Sequence, residues 1–513
     1  MLVRENWSAI PGTVIAHSSA ATGKYIGSPG LAILPDGSYV ASHDHFGPGS
    51  TEHGHAETWI YRSQDKGITW LPIAQLSDAF WSNLFTHRGT LYLFGTSRHY
   101  GYAVIRRSND GGFTWTTPTS SKTGLLTNTP EYHCAPMPVL EHNGHLYRAF
   151  EHRSPGTGWG TNFTSGVFRA RTASDLLDAR SWEQSNFVRS DSSWNNADMK
   201  AWLEGNITVS PSGQLVNILR VQTASSQEKA AIGTLNARAM SLAFEPQTGF
   251  IPFPGGAKKF CIRRHPRTGV YYAITSAVHP ADKAQDPGSM RNCLVLLRSD
   301  DMYRWELQRV LLYHPDVHQH GFQYVEWQFD GNDIIFVSRT AFHDGVLPAH
   351  RAHDANFLTF HRISHFERLD ATPLDGSRTP PLPQTMHSGN VEVQGHGFVA
   401  TTLQSDRNLF TNRDYQIRNI PENLVGKSIT SLAGGVVAWL WVKASRTAEM
   451  HFLTGAAPSK QTTQILQASP VTTSLFYTDA QRSPLFLYKR TVKPGERVYI
   501  PQLGWTGTSV IIP

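Results

Sequence analysis

The sequence predicts an all-β protein, and three observations carry that reading. Short runs of alternating apolar and polar residues recur along the chain; turn-forming dipeptides separate them; helical periodicity over more than ten residues is hard to find. The runs come in order. Leu31–Ala41 spans the turn Asp36-Gly37, and Thr90–Phe94 follows. Asn143-Gly144 precedes His145–Phe150, Ser212-Gly213 opens the run to Val221, and Asp330-Gly331 precedes Asp333–Ser338. Asp-Gly and Asn-Gly favour the positive φ angles of tight hairpins, so each marks a reversal between two strands. Composition agrees with a folded globular chain: 40% of residues are hydrophobic, 17% are charged, and Gly (42) and Pro (30) stay far below disordered levels. No apolar run approaches the length that spans a bilayer, so no membrane partner is expected. The start, Met1–Trp7, has neither an apolar core nor a small-residue cleavage site, so a leader is expected to have been removed or never to have existed. The net charge of +6 is scattered rather than gathered in Lys/Arg runs, which argues against nucleic acid. Three cysteines cannot form a disulfide framework; they suit one bridge, metal ligation or burial as thiols. The 24 His and 14 Trp lean toward a polar, aromatic-lined cleft.

A repeat sharpens the fold. Ser63-Gln-Asp65-Lys-Gly67-Ile-Thr69-Trp70 recurs as Ser108-Asn-Asp110-Gly-Gly112-Phe-Thr114-Trp115. A degenerate copy runs Ser299-Asp-Asp301-Met-Tyr-Arg-Trp305, and Ser174-Asp175 with Trp182 is a further candidate. The carboxylate caps turn N–H groups, Gly takes a strained φ, and Trp packs under the hairpin. The pattern resembles the Asp box of sialidase-like β-propellers, where it is structural. Residues 1–368 are then expected to form a seven-bladed β-propeller of about fifty residues per blade. A Pro/Ser/Thr/Gly-rich linker is expected over 369–395, where Thr372-Pro373 and Thr379–Pro383 fall. Strand-like runs at Gly435–Val442, Pro484–Tyr488 and Gly495–Trp505 predict a C-terminal β-sandwich-like module over 396–513.

Three segments concentrate ionisable residues between strands: Tyr132–Arg153, Lys200–Arg220, and His320 to His361. Their spacing suits one inner strand or loop per blade, projecting toward a common axis. Here the chain resembles the L-rhamnose-α-1,4-D-glucuronate lyases and the related α-L-rhamnosidase family, seven-bladed propellers that remove rhamnose caps from arabinogalactan; ulvan lyases are similar. The resemblance lies in Lys24-Tyr-Ile-Gly-Ser-Pro29, Ala41-Ser-His43-Asp-His-Phe-Gly-Pro-Gly49, Tyr132-His133-Cys-Ala-Pro, Trp202-Leu-Glu-Gly-Asn206 and His353-Asp-Ala-Asn356, within roughly residues 10–370. It implies a secreted or periplasmic monomer acting on an acidic polysaccharide or oligosaccharide, with no organic cofactor.

β-Elimination at a uronate needs a base for the C5 proton, an acid for the leaving oxygen, and a cation against the carboxylate. By similarity His133 is the acid or base and Arg220 the carboxylate neutraliser, with Tyr100, His152, Arg153, Lys200, Glu204, Asn206 and Arg291 as substrate-binding candidates. The family often pairs His with Tyr; the compared position here holds Glu204, which is also the natural partner for a buried Arg220. Hydrolysis of the same linkage is the alternative, with His17 activating water. Ulvan cleavage and a carbohydrate-binding propeller without catalysis are further readings. His279, Cys293, His320 and His353 are candidate ligands for one structural Zn²⁺, with Ca²⁺ on carboxylates such as Asp330 or Asp354 as the competing metal. Asn6, Asn162 and Asn206 begin glycosylation sequons, and modification of Asn206 would contradict its placement in a site.

Overall fold

A computed structural model describes residues 7, 10–156, 158–225, 227–282, 286–369, 384–434 and 438–512. It is almost entirely β-structure, and among the described residues no helix is long and apolar enough to cross a membrane. Two compact units are defined: Pro11–Phe342 with His350–Pro380, and Met1–Ile10, His343–Ala349 and Pro381–Pro513.

Among the described residues the larger unit is a propeller of six antiparallel sheets, not the expected seven. The innermost strands of successive blades begin at Tyr25, Phe80, Tyr132, Met199, Phe260 and Gly321. Six apolar clusters bind neighbouring blades and close the ring. Leu84 and Leu93 pack on Ala32 and Val40; Phe150 and Phe168 on Phe94; Ile207 and Leu215 on Tyr147 and Val167. Phe260 and Ile262 pack on Val216 and Ile218, Phe322 and Phe336 on Cys261 and Leu294, and Ile335 and Val337 on Leu31 and Ala41. The count falls to six for two reasons. Long connections such as 109–131 and 277–292 stretch the repeat, and the first strand, Thr13–His17, makes no blade of its own. It pairs instead with Phe357–Ile363 as the outermost strand of the sixth sheet.

The Asp boxes are built as hairpin clasps. Gly67 N–H donates to Ser63 Oγ at 2.8 Å, Thr69 N–H to Asp65 at 2.9 Å, and Trp70 Nε1 to Gly67 O at 3.2 Å. Ser108–Trp115 repeats the set, with Trp115 Nε1 on Gly112 O at 2.8 Å. In the degenerate copy Met302, at φ 72°, stands where glycine stood, and Trp305 Nε1 still reaches its carbonyl at 2.8 Å.

Five of the six innermost strands are interrupted at one level, Phe260–Arg264 being continuous. Three carry a β-bulge whose first residue has positive φ: Trp81 (48°) in Phe80–His87, Glu204 (59°) in Met199–Val209 and Tyr324 (52°) in Gly321–Asp330. Two others are split, Tyr25–Ile26 from Gly30–Ile33 and Tyr132–His133 from Leu140–His142. A bulge leaves one residue unpaired and re-aims its side chain, and strained φ at such a level marks a working site. All three cysteines are free and buried.

In the smaller unit the sheet Gln384–Ser388, Val391–His396, Trp439–Ala444, Arg497–Ile500 shares a core with a second sheet containing Ser428–Leu432, Ala448–Thr454, Phe486–Val492 and Thr508–Ile512. Val393, Val442 and Val498 from the first meet Met450, Phe452, Tyr488 and Val510 from the second. The linker expected over 369–395 therefore stops short of Gln384, because Gln384–Ser388 and Val391–His396 pair as a hairpin. Thr372-Pro373, Thr379–Pro383 and Asn6 lie outside the described residues.

Candidate functional site

A cavity of about 410 Å³ opens where the innermost strands are broken. Antiparallel strands bring two sets of side chains to it. The starts of innermost strands supply Trp81, His133, Glu204 and Tyr324; the ends of the second strands supply Asp44, Arg220 and Arg339. Arg291, Arg351 and His353 arrive on loops, and Phe46, Glu52, His99 and Trp159 line the remaining wall. The same antiparallel order puts the Asp boxes, which follow the third strands, at the opposite ends of the blades.

Glu204 is the hub. Its Oε1 accepts from the Tyr324 hydroxyl at 2.8 Å, and its Oε2 accepts from Arg220 Nη1 at 3.0 Å. Arg220 Nε also donates to Ala257 O at 2.9 Å, so the guanidinium is fixed. Burial by itself pushes Glu204 up, but Arg220, His133 and the Tyr324 hydrogen bond draw it below its ordinary value. Burial, and then the Glu204 charge, raises Tyr324. The phenol therefore keeps its proton at neutral pH and aims it at a carboxylate.

Two more guanidinium groups crowd this pair. Arg339 lies 4.7 Å from the Tyr324 ring and 4.4 Å from the Phe46 ring, and burial lowers it. Arg291 is bonded to the Gln323 side chain, and burial, followed by repulsion from Arg220, brings it down to about 10. Of these three buried guanidinium groups Arg220 is the one hydrogen-bonded to Glu204, while Asp354 and Asp44 also act on Arg339. Opposite them, Asp44 accepts from Ser28 N–H at 2.7 Å and Trp81 N–H at 2.6 Å. Burial lifts its carboxyl to about 7 against those donors and Arg339. Asp44 needs Gly27 beside it, since a Cβ there would sit 1.6 Å from Asp44 Oδ1.

His133 forms a second dyad. Its Nδ1 lies 2.7 Å from Glu151 Oε2, and Gly205 N–H reaches Glu151 Oε1 at 3.3 Å. Its ring stacks on Phe163 and meets the edges of Trp81 and Trp159. The wall is thus aromatic on one side and cationic on the other.

Of the sequence-derived residues, His133, Arg220, Glu204 and Arg291 meet in this cavity, together with His353, which was expected as a metal ligand. The others do not line it. Tyr100 lies under the Arg153 guanidinium, 4.1 Å from its ring centre, and Arg153 pairs with Glu131 at 2.5 Å. His152 packs on Tyr132. Lys200 is exposed. Asn206 is buried and ties two blades together, donating to Phe260 O at 3.3 Å and accepting from Ile262 N–H at 2.9 Å, which closes it to glycan. His17 lies on the outermost strand of the sixth blade, stacked on Phe357.

The four expected metal ligands do not form a set. His320 Nδ1 is 2.9 Å from Asp316 and its ring stacks on His314; His279 packs on Tyr313. Cys293 is buried in an apolar cluster, and His353 bonds Asp354 at 2.6 Å beside Arg339. The carboxylates considered for Ca²⁺ are engaged too: Asp330 holds Tyr39 and Arg362, and Asp354 holds His350 and Arg351. The residues therefore do not fit that ion.

Sequence reasoning missed Asp44, Trp81, His99, Trp159, Tyr324 and Arg339. One signal was available for two of them. Like Arg220, Asp44 and Arg339 are ionisable residues within otherwise buried second strands, as is Glu151.

No protein-family model matches the chain, and no curated protein matches it. Among solved structures it is similar to an α-L-arabinanase of Penicillium chrysogenum (14% identity, 70% of this chain and 98% of that one, TM-score 0.43). It is also similar to a GH93 α-L-arabinofuranosidase of Fusarium graminearum (12%, 69% and 98%, 0.43) and a Hadza microbial sialidase (14%, 69% and 68%, 0.44).

Proposed function

We propose that the propeller cleaves the glycosidic bond of a carboxylate-bearing sugar, with Tyr324 as nucleophile. The observation that carries this is the hydrogen-bonded row Tyr324–Glu204–Arg220, with Arg291 and Arg339 beside it in one cavity. Glu204 hydrogen-bonds Arg220 while Arg291 and Arg339 bond neutral groups, which suits a substrate carboxylate, since guanidinium binds carboxylate through matched N–H donors. A carboxylate nucleophile would repel such a substrate at short range, whereas a phenol is neutral until it reacts. Tyrosine nucleophiles are a known departure from the two-carboxylate pattern of glycosidases.

In this reading the Tyr324 oxygen attacks the anomeric carbon while its proton passes to Glu204. Asp44, whose carboxyl is raised to about 7 and so still holds its proton in part of the molecules at neutral pH, gives that proton to the departing glycosidic oxygen. Water then takes the place of the leaving group, Asp44 accepts its proton, and the bond from carbon to Tyr324 breaks as Glu204 returns the phenolic proton.

The second reading is β-elimination at a rhamnosyl-glucuronate end, and His133 backed by Glu151 favours it: an imidazole lining the same cavity could remove the C5 proton while the guanidinium groups hold the carboxylate. Aryl glycosides of carboxylated sugars and gum arabic separate the two. Hydrolysis releases the aryl group from a carboxylated glycoside but not from its neutral counterpart, and makes no ultraviolet-absorbing unsaturated uronate. Tyr324→Phe is expected to cut that rate by roughly a hundredfold or more. Turnover of no carboxylated glycoside, or an unimpaired Tyr324→Phe, would sink the first reading; a rising ultraviolet signal abolished by His133→Ala would establish the second.

A further inference from the structure

We propose that Glu52, His53 and His99 form a divalent transition-metal site at the mouth of the cavity. The inference stands apart from the cleavage chemistry above. One ligand atom from each residue, a carboxylate oxygen and two imidazole nitrogens, lies within 4.8 Å of the others. Glu52 Oε2 is 3.3 Å from His99 Nδ1, and Glu52 Oε1 is 3.7 Å from His53 Nε2. Ligands bound tetrahedrally to zinc lie about 3.3 Å apart, so a modest contraction completes the set. The His53 side chain is the one placed to make that contraction: it is 74% exposed, with its ring 4.5 Å from that of His99.

The other two are anchored. His99 N–H donates to Glu52 O at 2.9 Å, which joins the two loops, and Gly47 N–H holds Glu52 Oε1 at 3.1 Å. The His99 ring packs against Trp81 at 4.8 Å and Tyr100 at 4.3 Å. Two imidazoles and one carboxylate suit Zn²⁺, Co²⁺ or Fe²⁺ rather than Mg²⁺ or Ca²⁺, which prefer all-oxygen sets. Three protein ligands leave a coordination position open. Glu52 and His99 both line the cavity, so that position is within reach of an oxygen on whatever the cavity holds.

The test is calorimetric titration of the chelator-treated full chain with Zn²⁺, with Co²⁺ absorption as a second readout, for wild type, His53→Ala and Glu52→Gln. His53 is exposed, so His53→Ala is expected to melt like wild type. The proposal expects one ion per chain, bound roughly a hundredfold more weakly by His53→Ala. It also expects a cobalt spectrum that changes in both variants. No stoichiometric binding by wild type overturns the proposal, and so does binding that neither variant weakens.

Discussion

Glu204 shows how one residue serves stability and chemistry at once. It neutralises Arg220 and accepts from Tyr324, and all three are buried. Glu204→Gln leaves a buried guanidinium without its anion and is expected to cost about 3–5 kcal/mol in denaturant unfolding. Tyr324→Phe removes one hydroxyl, keeps the ion pair, and is expected to unfold within about 1.5 kcal/mol of wild type while losing activity. Asp44 couples the site to pH. Its folded value of about 7 exceeds the unfolded value of about 4, so between them the folded chain holds a proton that the unfolded chain has released. Stability from this residue is therefore full below about pH 4 and declines as pH rises to about 7. Urea titrations across that window are expected to show a smaller decline for Asp44→Asn. With Asp44 as proton donor, the wild-type rate also falls as pH passes 7. Some of this was readable from residue types alone: an Arg inside an apolar strand, as at Arg220, needs an anion, and Glu204 is that anion. Tyr324 was not readable, because a tyrosine in a half-buried strand is ordinary until its neighbours are known.

Within single elements the bulge is the device that matters. At Trp81, Glu204 and Tyr324 one extra residue turns a side chain off the strand's alternation and into the cavity. Sequence conceals this, since a slip of one residue changes no residue type and Phe322–Trp327 reads as continuous strand. The turns were plain by contrast. Asp36-Gly37, Asn143-Gly144, Ser212-Gly213 and Asp330-Gly331 each join the inner two strands of a blade. The second blade turns at Arg88-Gly89 and the fifth around Thr268-Gly269, which lack the strong dipeptides, so counting by turns was incomplete. Gly27→Ala tests how tightly the split innermost strand is built around Asp44. The added methyl would displace the carboxylate from Ser28 and Trp81 N–H, and kcat/KM is expected to fall at least tenfold with the circular dichroism spectrum unchanged. Asp110→Ala, in a clasp at the far end of its blade, is expected to lower Tm and leave kcat/KM alone.

For the molecule as a whole, Arg220, Arg291, Arg339 and Arg351 gather on the wall of one cavity while the net charge is only +6. An anionic substrate should be drawn in by that field, so its KM is expected to rise severalfold between about 0.01 and 0.15 M salt, and the KM of any neutral substrate should stay flat. The seven-blade expectation failed because dividing length by a repeat assumes that every strand pairs locally. Thr13–His17 does not, and nothing in its five residues names Phe357–Ile363 as its partner. That pairing has a consequence during synthesis. The ribosome makes the closing strand first and its mate some 340 residues later, so the edge of Thr13–His17 waits unpaired on the nascent chain through most of translation, exposed to chaperones and to other chains alike.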